Sequence, residues 1–237
     1  MEIKLFKKPK NPIMINGFPG FGLVGTIATE FLINHLKTEI IGKIMVDDLP
    51  AMVAIHETKL VDPISIHYNS EYNIVIVHAI APVNGIEWEI SKAILEIAKE
   101  LGAKEIINLE GVGSMVETNE PRTFFYSAND KKSEAFKKSG IDPLKEGIIM
   151  GVTGALLVEA GDDVMTTAVF AETHTNLPDS KAAARIIEVL DKYLGLKIDY
   201  QPLLEQAVKF ESKLKKIMQS SQEATDMSEK KKMSYVG

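Results

Sequence analysis

The chain has 237 residues, 45% of them hydrophobic and 25% charged, with a formal net charge of −6 and no cysteine. That length supports a sizeable core without disulfides. The acidic balance offers nucleic acid no basic surface, and the missing thiol excludes thiol catalysis, thiolate zinc sites and covalent bridges.

No apolar run reaches the roughly 20 residues of a membrane span. The opening MEIKLFKKPKNP has lysines but no apolar signal-peptide segment, so a cytoplasmic protein is expected. Asn11 to Leu36 then reads as a strand (Ile13 to Ile15), a turn carrying Gly17, Gly20, Gly22 and Gly25, and a helix with Leu23, Ile27 and Phe31 at helical spacing. Glu39 to Val46 reads as a strand, followed by shorter β-like pieces at Ala51 to Ile55 and Ile64 to Tyr68. Asn73 to Ala81 (NIVIVHAIA) is nearly continuous in apolar and β-branched residues, as a strand buried on both faces requires. Glu87 to Leu101 is an amphipathic helix with Gly102 as its C′ residue, and Glu105 to Leu109 is the next buried strand. Strand, helix and strand in that order predict a parallel pair joined by a crossover.

From Glu110 to Asn129 the periodicity lapses, leaving a long irregular loop with three aromatics, Phe124, Phe125 and Tyr126. Asp130 to Ser139 is a short charged helix. Gly147 to Val152 (GIIMGV) reads as a strand that runs into Gly154 and a short helix over Ala155 to Ala160. Asp163 to Thr173 is a further strand. Pro178-Asp179-Ser180 opens a helix through Leu194, with proline pre-set for its first turn and Gly195 as its stop. Strands alternating with helices over 1–199 predict an α/β three-layer domain with a mostly parallel sheet.

The remainder differs in kind. Within 200–218, Leu203, Ala207, Phe210, Leu214 and Ile217 advance by four, three, four and three residues, a two-per-heptad apolar seam. Such an amphipathic helix lies on its own domain or packs between subunits, and oligomerisation is the sharper expectation. The segment 219–237 has almost no apolar content, which predicts a flexible tail. It ends in Tyr235-Val236-Gly237, an aromatic tip that suits a docking peptide and equally suits an unselected end.

Chemistry-bearing patterns are sparse. Gly20-Phe21-Gly22-Leu23-Val24-Gly25 matches G-x-G-x-x-G between strand and helix, where helix amides can hold a phosphate, and Asp47 follows at about the 20-residue spacing of a ribose-binding carboxylate. Phe18, Pro19 and Phe21 make that turn bulky and apolar, however. A nucleotide-binding enzyme or ligand-binding protein built on it is the alternative reading. His35, His56, His67, His78 and His174 are scattered, without a metal-binding pair, and no nucleophile elbow accompanies Ser114. Glu87, Glu110 and Glu159 stand at element ends, where carboxylates act more often as caps than as general bases. No catalytic residue, cofactor or metal is assigned.

Three blocks together, GFPGFGLVGTIATEFL, GVTGALLVEAG and PDSKAAARIIEVLDKYLGLKID, resemble the proteasome-assembly-chaperone-2 family in its archaeal form. The resemblance covers roughly residues 12 to 200. It implies an α/β fold without established catalytic residues, and assembly with copies of itself. It also implies partners among the proteasome α-subunits, with other adaptor proteins as further candidates. Members of that group can carry a C-terminal hydrophobic residue, a tyrosine and one final residue, which enter pockets between α-subunits. Here Tyr235 is third from the end, Ser234 precedes it and Met233 is the nearest upstream hydrophobe. Met233, Tyr235, Val236 and Gly237 are therefore the partner-binding candidates, and the departure touches gate opening more than binding.

Overall fold

The computed structural model describes residues 1–47, 49, 53–56, 59–114, 120–161, 164–174, 177–202, 205 and 216. Its centre is built from mostly apolar strands that are buried on both faces, with Asn16 and His78 as buried polar members. In β2 (Ile13–Gly17), Ile15 faces one core and Met14 the other. In β7 (Ile74–Ala79), Ile74 and Ile76 alternate in the same way with Val75 and Val77. A strand with no polar face must be covered on both sides. Helices α1 (Val24–His35) and α5 (Ser180–Leu194) cover the first face. The second is covered by α2 (Glu87–Leu101) and α4 (Gly151–Glu159). The expected three-layer α/β domain follows.

The remaining members of the sheet are β1 (Glu2–Leu5), β3 (Glu39–Met45), β6 (Ile64–Asn69), β8 (Glu105–Gly113), β9 (Thr123–Ser127), β10 (Asp142–Pro143) and β11 (Thr166–Thr173). Among the described residues the sheet has nine strands in the order β1-β3-β6-β7-β2-β8-β11-β9-β10. The parallel character holds for the four central strands β7, β2, β8 and β11. On one flank β6, β3 and β1 pair antiparallel, and on the other β9 pairs antiparallel with β11. The expected parallel pair β7 and β8 are not neighbours, because β2 lies between them. A separate two-stranded sheet joins β4 (Ala54–His56) and β5 (Lys59–Val61).

Several boundaries differ from expectation for identifiable reasons. The stretch after Glu110 is not wholly irregular: β8 runs on to Gly113, and Phe125 turns inward within β9 while Tyr126 stays half-exposed. Residues 147–150 form no strand, and the helix starts at Gly151 rather than Ala155. An unbroken apolar run carries no period by which strand and helix can be told apart. Pro178 precedes the last helix rather than opening it. Asp179 is its cap, its side chain accepting from the Ala182 amide at 2.9 Å. The stops at Gly102 and Gly195 are as expected, both left-handed.

Helix α3 (Asp130–Lys138) shows how a charged segment is held. Asn129 caps it, and Phe136 is fully buried against the Tyr193 ring, 4.1 Å away between centroids. Lys132 reaches inward to Glu105, 2.8 Å away, and to the Tyr193 hydroxyl at 2.7 Å. The buried Glu105 carboxylate is thereby paired, as a charge out of water must be.

Candidate functional site

In an open α/β sheet the place to look for a ligand is the carboxyl edge of the central parallel strands. Here that edge carries the glycine-rich turn. Beyond β2 the chain turns through Gly22 (φ 64°) and Leu23 (φ 52°), both left-handed, before α1 begins. A Cβ on Gly25 would stand 2.2 Å from the Leu109 carbonyl oxygen, and one on Gly17 would stand 2.2 Å from the Gly25 oxygen. One on Gly111 would meet the Phe21 oxygen at 2.0 Å. The turn, α1 and β8 thus touch backbone to backbone. The Asp179 amide donates to the Gly22 carbonyl at 2.9 Å, and the Thr173 hydroxyl donates to the Asp179 carboxylate at 2.8 Å, so β11 and α5 join the same knot.

This packing bears on the dinucleotide expectation. The space against Gly20 is occupied, since a Cβ there would lie 2.0 Å from Glu110 Oε1. The Glu110 carboxyl stands where a phosphate would approach the turn. Asp47 follows β3, which is separated from β2 by β6 and β7. Three strand spacings, about 14 Å, keep it from the turn. Gly17, Gly20, Gly22 and Gly25 form a joint between elements.

Glu110 is the unusual acid of this edge. It lies inside β8 rather than at an element end as expected, is partly exposed, and accepts from the Thr153 hydroxyl of α4 at 3.0 Å. Burial pushes its pKa up to about 7, against the hydrogen bonds from Thr153 and the Gly111 amide. The sign follows from proton binding: between the ordinary carboxyl value and about 7 the folded chain holds a proton that the unfolded chain has lost, so stability falls as pH rises. Glu110→Gln, which keeps the acceptor and removes the charge, should therefore stabilise the protein by about 2 kcal/mol at pH 8. The gain should shrink to nothing towards pH 4. Thermal melts of both proteins across that range check it; a gain independent of pH would mean that ionisation is not its source.

The other polar groups of this edge are paired off separately. Arg122 grips Glu172 through Nε at 2.8 Å and Nη2 at 2.5 Å. That grip, helped by the Ser114 hydroxyl, lowers the Glu172 pKa although the group is largely buried. His174 Nδ1 lies 3.1 Å from the Ser114 carbonyl oxygen, not from its hydroxyl, so this contact does not form a nucleophile–base pair. Glu87 accepts from the Gly85 amide at 2.8 Å, and Glu159 accepts from the Ser91 hydroxyl.

The histidines are also settled one by one. His35 stacks on Phe31. His67 sits between Ser65 and Thr38, and burial followed by the charge of His78 lowers its pKa to about 4. His78 Nδ1 is 2.8 Å from the Thr29 hydroxyl, and its Nε2 is 3.2 Å from Glu30, near enough for a charge contact but outside hydrogen-bond geometry. The order Thr, His, Glu imitates a triad, yet Thr29 is fully buried against Gly17 and out of a substrate's reach. The side chain of His56 lies outside what the structure describes. Among the described residues no three potential ligands gather for a metal.

The seam residues Leu203, Ala207, Phe210, Leu214 and Ile217 and the tail residues Met233, Tyr235, Val236 and Gly237 lie outside the described residues. What sequence reasoning missed is apolar surface. Ile148, Met150 and Val158 are 88%, 78% and 71% exposed around α4, and Ile55 and Leu60 point outward on the small hairpin. The signal for the first group was present in the uncharged run GIIMGVTGALLV, which reads as a strand running into a short helix without any sign of exposure.

Comparison with known proteins gives a consistent result. The model of the PAC2 family matches residues 14–218. A crystal structure of Pyrococcus furiosus PbaA, described as an archaeal homolog of proteasome-assembly chaperone, is 31% identical; the match covers 94% of this chain and all of that one, with a TM-score of 0.85. Pyrococcus furiosus PbaB, described as an archaeal proteasome activator, is 26% identical over 91% of this chain and 98% of its own, with a TM-score of 0.75. An uncharacterized protein of Methanocaldococcus jannaschii is 26% identical, with 99% of each chain covered.

Proposed function

This chain belongs to the PAC2 family, and we propose that it acts as a chaperone or adaptor of proteasome assembly that transforms no substrate itself. In this reading it forms a ring-like homo-oligomer in the cytoplasm through the seam of 200–218. It binds the α-subunits of the 20S proteasome through its C-terminal tails, and other adaptor proteins are further partners. The observation that carries the reading is the likeness to PbaA along nearly the whole of both chains. The glycine turn supports it: the edge that would hold a nucleotide is closed by backbone contacts and by Glu110. Among the described residues, no helix is long and apolar enough to cross a membrane.

Native mass spectrometry of the full chain, alone and mixed with proteasome α-subunits, tests both halves. An oligomer alone and a mixed complex on addition are expected. A monomer that forms no complex, yet binds NAD, ATP or AMP in isothermal titration, would overturn the proposal in favour of the nucleotide-binding alternative.

A further inference from the structure

Helix α4 is fastened unequally along its length. Its last turn carries Glu159, which accepts from the Ser91 hydroxyl of α2 and lies 3.8 Å from Lys92 Nζ. That acid has a cation beside it and needs no proton to keep its place. The first turn is held more loosely. Residues 144–150, which lead into it, have no regular structure. Met150, at the cap position, gives the helix amides no side-chain bond, and Gly151 follows with φ 71°. The Gly154 amide reaches the Met150 carbonyl only at 3.3 Å, and glycine is a poor helix former where the first turn meets the rest. Two contacts remain to hold this end: buried Val152 in the core, and the Thr153 hydroxyl on Glu110.

The Glu110 carboxyl stands between two elements and touches both. Its Oε1 fills the space against Gly20, and its Oε2 takes the Thr153 hydroxyl. The charged groups around it are committed elsewhere. On β11, Glu172 is gripped by Arg122; at the start of α5, Asp179 is bonded to Thr173 and to the Ala182 amide. On α4, Glu159 is at the far end, and the turn from Gly17 to Leu23 carries no charge. Among the described residues no cation pairs with Glu110, which has only the hydroxyl and the Gly111 amide as donors. We propose that Glu110 is a proton-operated latch on α4: with a proton it keeps the first turn of the helix against the glycine turn, and without one it lets that turn swing away about Gly154 while Glu159 keeps the last turn in place. A neutral carboxyl is at ease in such a position, whereas a carboxylate without a cation gains by moving into water. The partial exposure of Glu110 gives it the way out. The proposal goes beyond the assembly reading and does not depend on it, because the chain alone tests it.

Amide hydrogen exchange of the full chain, read by NMR from pH 5 to pH 8, compares the parent with Glu110→Gln at each pH, so that the base catalysis of exchange cancels. Opening returns the carboxyl to water and to its ordinary value of 4.5, against about 7 when the latch is closed. Relative to the variant, the parent's opening should therefore grow roughly tenfold per pH unit up to about pH 7 and then level off, a rise of about 10²-fold. The rise is expected at the Gly154 and Ala155 amides. It is not expected at the Ala160 amide, which bonds to the Leu156 carbonyl at the tied end of the helix. A ratio that does not change with pH overturns the proposal. An equal rise at Ala160 does so too, because the charge would then act on the stability of the whole helix or chain rather than on its first turn. A parent better protected than the variant at pH 8 also overturns it, since the carboxylate would then be capping the helix. Thr153→Val removes the bond and leaves the carboxyl in place. Its Gly154 amide should exchange faster than the parent's at pH 5, where the latch is closed; exchange at the parent's rate there counts against the latch as well.

Discussion

Replacing Gly25 by alanine should lower the melting temperature by roughly 10 °C with no ligand present. The added Cβ would lie 2.2 Å from the Leu109 carbonyl oxygen and 3.2 Å from its carbon. Both neighbours are backbone in the middle of the central strands, so no side chain can swing aside. Either α1 lifts from β8 or β8 bends, and overpacking of that kind costs about 3 kcal/mol when backbone must move. For a chain of this size each kcal/mol is worth about 2–4 °C. Gly113→Ala is the matched control: its Cβ would meet only the Phe21 ring at 3.5 Å, an ordinary contact, so its melt should stay near the parent's. If Gly25→Ala melted with the parent, the joint would have slack, and the turn would again be open to a ligand. The nucleotide alternative makes the opposite prediction, loss of binding with the fold unharmed.

The contrast between turn and ligand site bears on what can be read from residues alone. The glycine spacing was legible, and so was the strand–turn–helix around it. What closes the turn was not. Glu110, Thr173 and Asp179 come from distant parts of the chain, and nothing local to any of them marks it as a neighbour of Gly20 or Gly22. Strand order was hidden for the same reason. Glu39–Met45 follows α1 directly, yet it pairs with β6 and β1 on a flank, because pairing is decided by long-range packing rather than by succession. Strands apolar on both faces announced themselves, as at Ile74–Ala79. Short or mixed ones did not: Glu2–Leu5 is half charged, and Thr123–Ser127 looked like an aromatic loop until its pairing with β11 turned Phe125 inward.

The misreading of Gly147–Val152 is of another type. An apolar hexapeptide reads as a strand because it carries no helical period, and the structure forms no strand there and leaves Ile148 and Met150 in solvent. Local pattern and global fold agree along most of a natural sequence, so a conflict of this kind points to a surface kept for another purpose.

Deleting 219–237 should reduce capture of proteasome α-subunits to background, and the argument is one of multivalency. A tail with almost no apolar residues loses conformational freedom when it docks, so each copy binds weakly. Copies held together raise one another's effective concentration, and linked weak sites gain about 10²- to 10⁴-fold without any new contact. Two variants separate the parts. A chain ending at Met218 keeps the seam and loses the tails; equal capture by this chain and the parent would remove the tail from the mechanism. Phe210→Ser/Leu214→Ser keeps the tails and weakens the seam, and should bind about 10²- to 10⁴-fold more weakly at equal protomer concentration. Undiminished binding by that variant would mean that the seam does not gather the copies.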